Sequence, residues 1–302
     1  MNGRRTGDTV SIDGGYQHRA MNSANPVQRF WHQTKRLLIS ELLPPARVDF
    51  VIDVGCGSGV ITSYLGERAG QAVGIDGNPV AIDYARREFE RENVTFMQTL
   101  ADERLKLDAP PSKVYCMELI EHVYFEQGVT LLRNLRAVSQ PGARMLLTTP
   151  NYRSLWPVIE WALDRYTDAP ELGNQQHVTH YTAGRLRELA AAGGWDVEQV
   201  RTASFLAPWV APLSWGLARF VHSVEVKARW APGSILVGVL RARGAGESGA
   251  PAIEIAVSGD RVVRVRPGFD AGTLAGVVRA DMGVPRRRRA HAACVKKADS
   301  GR

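Results

Sequence analysis

From Phe50 to Thr148, short apolar runs alternate with amphipathic stretches. Phe50–Val54, Ala72–Ile75, Val94–Gln98, Val114–Met117 and Arg144–Thr148 read as five strands. Between them, Val60–Arg68, Pro79–Arg91 and Glu126–Val138 carry helical spacing. Pro79 near a start and Gln140-Pro141-Gly142 after an end supply the punctuation. Apolar strands alternating with helices predict a doubly wound, Rossmann-like α/β fold whose parallel sheet is covered on both faces. Upstream, Val27, Phe30, Trp31, Leu37, Leu38 and Leu42 predict an N-terminal helix over Asn25–Leu43, stopped by Pro44-Pro45. Beyond Pro150 the alternation slackens. A helix over Leu155–Leu163, a loop over 166–181, a helix over Thr182–Ala192 and strands at Trp195–Thr202 and Ile235–Leu240 are expected.

Three segments follow from this pattern. Residues 1–24, polar and Gly-rich, read as a flexible arm; 25–241 form one α/β domain; 242–302, rich in Gly, Ala and Arg, read as a basic tail of low order. A chain of 302 residues that is 44% hydrophobic and 23% charged can bury a sizeable core, which excludes global disorder. The net charge of +7 is unevenly placed: residues 1–240 balance 25 Lys and Arg against 25 Asp and Glu, whereas 241–302 carry 13 against 6. The domain is therefore neutral, and nucleic acid is not an expected partner of it. The runs Arg286–Arg289 and Lys296-Lys297 keep open one reading of another class, an inactive fold that binds nucleic acid through its tail.

Three scattered cysteines and an N-terminus lacking an apolar stretch point to a cytoplasmic setting. Cys56 and Cys116, at apolar strand ends, read as inert. The longest uncharged run, Ala203–Ala218, is sixteen residues with two prolines. It is shorter than the roughly 20 residues of a membrane span. Its aromatic content suits core packing, an apolar lid or a peripheral contact with lipid.

The densest chemical signal is FVIDVGCGSG, in which Asp53 precedes Gly55, Gly57 and Gly59 at the junction of the first strand and the next helix. Glycines there allow a tight turn and a close approach of backbone to ligand. Position 60 is Val, so the dinucleotide G-x-G-x-x-G spacing is not met. Asp76 ends the second strand, where a carboxylate can accept from both ribose hydroxyls of a nucleoside. A second constellation, Glu118, Glu121 and His122, follows the fourth strand. If a helical turn follows, two carboxylates share a face with an imidazole beside them, which suits a divalent cation such as Mg2+. Without a metal, His122 or His180 is the expected general base.

VIDVGCGSG followed by VGID, then YCMELIEHV (115–123) and QPGARMLLTTPN (140–151), resemble the motifs of class I S-adenosylmethionine (SAM) dependent methyltransferases. The likeness covers about residues 25–200. CMELIEHV is most similar to the O-methyltransferases of ubiquinone biosynthesis. That resemblance implies SAM contacts from Arg36, Gly55, Asp76 and Met117, with Asp53, Gly57 and Gly59 completing the loop. It also places Asp102 near the adenine amino group, although a solvated loop carboxylate is an equal reading. It implies metal ligation by Glu118, Glu121 and His122. Small-RNA 2′-O-methyltransferases, which resemble this pattern too, add a later His before an aromatic; His180-Tyr181 matches, and His177 competes for the place.

The implied reaction is methylation of a hydroxyl on a small or lipid-linked acceptor; metal-free N- or C-methylation is the alternative. After Asn151 the sequence departs from the ubiquinone enzymes and resembles a broader set of bacterial methyltransferases, so the acceptor stays open. Residues 252–280 resemble a small accessory protein of insertion sequences, which would make the tail a fused, unrelated segment.

Overall fold

A computed structural model describes residues 14–159, 161, 177–228 and 232–244, together with the backbone of strands 253–256 and 262–265. Trp230, most of the expected 166–181 loop, the end of the expected Leu155–Leu163 helix and both basic runs of the tail lie outside the described residues. The chain divides into two units, Met1–Ala250 and Pro251–Arg302.

In the first unit the strands are β1 (Phe50–Val54), β2 (Gln71–Asp76), β3 (Val94–Gln98), β4 (Lys113–Met117), β5 (Arg144–Pro150), β6 (Trp195–Ala203) and β7 (Ile235–Ala242). The described helices are α1 (Tyr16–Met21), α2 (Pro26–Leu42), α3 (Val60–Gly66), α4 (Pro79–Phe89), α5 (Phe125–Val138), α6 (Ala183–Gly193), α7 (Ala207–Val210) and α8 (Trp215–Lys227). One seven-stranded sheet runs β3-β2-β1-β4-β5-β7-β6. Strands β1 to β5 pair in parallel, and β7 lies antiparallel between β5 and β6.

Alternation along each strand splits the core. Val51 and Ala72 face the side covered by α2, α3 and α4, where Leu38, Ile61, Leu65 and Ile82 are buried. Ile52, Val73 and Val114 face the side of α5 and α6, against Leu132, Leu135, Leu186 and Leu189. Helix starts follow local chemistry. Asn25 and Asn78 each accept two backbone N–H groups through the side chain ahead of a proline, and Ser214 caps α8.

The structure adds three features to the elements expected from the sequence. Tyr16–Met21 is a helix inside the expected arm, with Ala20 and Met21 buried. Residues 207–227 form two helices, because Pro208 falls in a first turn, where its missing N–H costs nothing. In the second unit Ile253–Ala256 and Val262–Val265 pair antiparallel, with Ser258-Gly259-Asp260 between them. Apolar residues at 253, 255, 263 and 265 provide the two-residue period that the glycine-rich surroundings obscure.

Candidate functional site

Strand order reverses between β1 and β4, which places the ligand-binding crevice of such a sheet beyond the carboxyl ends of these two strands. The glycine loop occupies that edge. Gly55, Gly57 and Gly59 all have left-handed φ values of 72°, 50° and 77°, open to glycine at little cost. The N–H groups of Gly55 and Cys56 both donate to the Ile75 carbonyl at 2.9 and 3.0 Å, folding the loop onto β2. Gly57 N–H donates to Asp76 Oδ2 at 2.9 Å, and Asn78 N–H to Asp76 Oδ1 at 2.8 Å, so the carboxylate is fixed at the crevice. A Cβ at Gly59 would stand 2.7 Å from Ala85 and Phe96, so this glycine serves helix packing.

A Cβ at Gly57 would meet the Gln17 amide 2.8 Å away. Helix α1 therefore sits on the loop. It is held from both sides: His18 Nδ1 hydrogen-bonds Tyr84 Oη at 2.9 Å, and Gln33 Nε2 donates to the Met21 carbonyl at 2.9 Å. Nothing in the sequence of residues 1–24 marks Gln17; its placement is a tertiary result.

Asp53 is buried and accepts from Thr62 Oγ1 at 2.7 Å. Burial pushes its carboxyl up to about 6, against the pull of Thr62 and Lys35. Met117 is buried at the end of β4. Arg36 stacks its guanidinium over the Tyr64 ring at 5.3 Å and keeps a buried Nε without a hydrogen-bond partner. Asp102 lies four residues past the carboxyl end of β3, whose last residue pairs with Asp76, and it forms an ion pair with Arg104 at 2.5 Å. The Cys56 and Cys116 thiols are raised by burial, which makes them poor nucleophiles.

Past β4 the expected ligand set separates. Glu118 has φ 57°, unusual for a residue with a Cβ, and its carboxylate accepts from Thr148 Oγ1 of β5 at 2.9 Å. The following turn, Ile120–His122, is a single 3-10 turn. The anticipated i, i+3 face thus never forms, because Glu118 precedes the turn in a left-handed conformation. Glu121 is buried, with Oε2 lacking a hydrogen-bond partner, and its Oε1 stands 3.9 Å from His122 Nε2. Burial first, and then the Glu118 charge, hold the Glu121 carboxyl well above the usual carboxylate range; burial raises Glu118 as well.

Among the described residues one group has metal-ligating geometry: Glu121, His122 and His177, with donor atoms within 4.8 Å of one another. The backbone N–H groups of Val178 and Thr179 donate to the Glu121 carbonyl at 2.9 and 3.1 Å, which brings His177 to this group. Tyr152 Oη hydrogen-bonds His177 Nδ1 at 3.1 Å. His180 lies outside the group, its ring stacked on Tyr152 at 3.9 Å. The sequence pattern also gave no sign of Lys35. This α2 residue is 8% exposed, and its charge acts on Asp53, Glu118 and Glu121.

The sequence profile of the methyltransferase-domain family matches residues 27–200, more than half of the chain. The chain belongs to this family. A ubiquinone biosynthesis O-methyltransferase of Coxiella burnetii is 28% identical over 138 residues, covering 41% of this chain and 58% of that relative. The chain thus spans little more than half the length of the curated relatives it matches. Among solved structures, a chain from the Haloferax volcanii complex of the Trm112 methyltransferase activator with a methyltransferase superposes with a TM-score of 0.52. It is 18% identical and covers 77% of this chain and all of its own. A SAM-dependent methyltransferase from Mesorhizobium loti gives 0.50 at 16% identity, over 70% and 96% of the two chains. The fold is that of the class I SAM-dependent methyltransferases.

Proposed function

We propose that the protein transfers the methyl group of SAM to an oxygen of a small or lipid-linked hydroxyl acceptor. The observation that carries this reading is one juxtaposition. The glycine loop with its fixed Asp76, and the Glu121, His122 and His177 group, both stand at the carboxyl edge of adjacent strands. The residues fit SAM: three left-handed glycines turn the loop at the strand edge, Asp76 offers acceptors to ribose hydroxyls, and Arg36 retains an orphaned donor suited to a carboxylate. SAM supplies an electrophilic methyl bound to a sulfonium. The chain orients the acceptor oxygen toward that methyl and removes its proton, with His122 and His177 as the bases in reach and Glu121 beside them.

Glu121, His122 and His177 also fit a divalent cation, since Glu121 Oε2 is buried and lacks a hydrogen-bond partner. Two imidazoles and one carboxylate suit a borderline transition ion better than Mg2+, and Tyr152 would orient His177 from behind. Such an ion would lower the pKa of the acceptor hydroxyl. Lys35 favours a second reading, metal-free transfer to nitrogen or carbon, because its ammonium already offsets part of the carboxylate charge.

The test is transfer of labelled methyl from SAM into a cell extract, split into organic and aqueous phases with and without EDTA. Label in the organic phase that disappears with EDTA supports metal-assisted O-methylation of a lipid-linked acceptor. EDTA-indifferent label in the aqueous phase favours the metal-free reading, and no label in either phase contradicts both.

A further inference from the structure

Helix α8 is apolar on both faces. Ala218, His222 and Val226 are buried against the fold, yet Leu217, Phe220 and Val224 are 49%, 66% and 50% exposed on the opposite side. Their i, i+3, i+7 spacing draws one stripe, which Leu213 and Trp209, 84% and 57% exposed, extend toward α7. An open groove of about 400 Å³ runs along this face, lined by Leu37 and Glu41 of α2 and by Arg219 and Phe220 of α8. The exposed apolar side chains are thus contiguous along the stripe rather than scattered singly.

The charge on this segment is sorted. Between Leu206 and Lys227 the ionised side chains are Arg219, Glu225 and Lys227. Glu225 is turned inward, where it accepts from the N–H groups of Phe205, Leu206 and Ala207 at 3.1, 2.6 and 3.0 Å. Arg219 and Lys227 are exposed. The one acid across the groove, Glu41, lies within the field of those same two cations. The outward face thus presents apolar side chains, an exposed tryptophan and cations.

Topology sets the orientation. Strand β6 ends at Ala203 opposite Ile235, and Ile235 pairs with Pro150 at the carboxyl end of β5. The chain therefore enters α7 from the same sheet edge that holds the glycine loop and Glu121. Leu155 and Val158, both exposed, leave β5 from that edge too.

We propose that the Trp209–Val224 face docks on an anionic lipid surface, with its α7 end nearest the sheet edge that holds the glycine loop. Apolar side chains enter the headgroup boundary, Trp209 sits at that level, and Arg219 and Lys227 meet lipid phosphates. This inference goes beyond the proposed reaction and does not depend on it.

The experiment is co-sedimentation of the full chain with phosphatidylcholine vesicles and with vesicles that also contain phosphatidylglycerol, at low and high salt. SAM calorimetry on every variant serves as the check of folding and keeps vesicle binding separate from the reaction. The chain is expected to pellet with the anionic vesicles at low salt. Phe220→Glu and Leu217→Glu, each made separately, should lower the vesicle affinity at least about tenfold, and Arg219→Glu several-fold, with SAM binding retained. Three results would overturn the proposal. The chain stays in the supernatant with both vesicle types; or the variants bind as well as the parent, which would assign binding to the basic tail; or the parent sediments as a dimer that Phe220→Glu dissociates, which would make this face a contact between copies.

Discussion

Strand β1 is flanked by a buried aspartate at each end, and the two live under opposite rules. Asp49, just ahead of the strand, is closed on every side: Lys113 Nζ, Ala46 N–H and Ser112 Oγ approach its oxygens at 2.7, 2.6 and 2.8 Å. Burial raises its carboxyl, but those donors win and hold it below the usual range. At the far end, Asp53, Glu118 and Glu121 share one edge without an ion pair to a Lys or Arg among the described residues, and burial raises all three. A left-handed Glu118 and an orphaned Glu121 oxygen lie at the same edge. The amino edge is arranged for stability. The carboxyl edge tolerates desolvated charge and backbone strain, the pattern expected where a site must act on something absent from the fold itself.

Exchanging one atom in Glu121 should separate the two regimes most sharply. Glu121→Gln keeps the shape and removes the buried charge, so unfolding in urea should show a gain of about 1–2 kcal/mol. Methyl transfer should meanwhile fall by roughly a hundredfold or more. A variant that loses both stability and activity would mean that the Glu121 carboxylate is structural, as Asp49 is.

His222 extends the contrast beneath α8, where the ring is fully buried and both nitrogens lack a hydrogen-bond partner. Burial lowers its pKa from 6.5 to about 4. The unfolded chain therefore takes up this proton first as pH falls. The stabilisation is complete above pH 6.5 and is lost on the way down to about 4. Asp53 works with the opposite sign: its folded value of about 6 lies above the ordinary 3.8, so its contribution is present below 3.8 and lost as pH rises through 6. Urea unfolding of His222→Leu at pH 7 and 4.5 should show a difference smaller than the parent's by about 2–3 kcal/mol. An unchanged difference would remove His222 from the account.

Asp49→Ala should cost about 2 kcal/mol, because Ala46 N–H and Ser112 Oγ–H lose their acceptor while Lys113 retains access to water. SAM affinity measured by calorimetry should not change. A loss of SAM binding would show that the two ends of β1 are coupled.

Much of this architecture was legible in the sequence, for physical reasons. Phe50–Val54 and Val94–Gln98 lie where the apolar runs put them, because a strand buried on both faces has few alternatives. Gly55, Gly57 and Asp76 were legible because a turn that needs left-handed backbone next to a strand-end acid restricts residue choice. Gln17, Lys35 and the turn of Glu118 toward Thr148 were not. Each depends on which way one side chain or one φ angle turns when distant elements meet, and periodicity carries no record of that. His177 and His180 compete for one place in the sequence; the donation of Val178 and Thr179 N–H to the Glu121 carbonyl puts His177 beside Glu121 and His122, while His180 stacks on Tyr152.

In the proposed function the glycine loop and Asp76 hold SAM. Isothermal calorimetry of SAM with the parent chain and with Asp76→Ala tests it directly. The parent should bind, and the variant should bind more weakly by about 1.5–3 kcal/mol, roughly ten- to a hundredfold, while staying folded with a urea stability lower by about 1–2 kcal/mol, because the Gly57 and Asn78 N–H groups lose their acceptor. Equal affinity in the two proteins, or no binding by the parent, would contradict the claim.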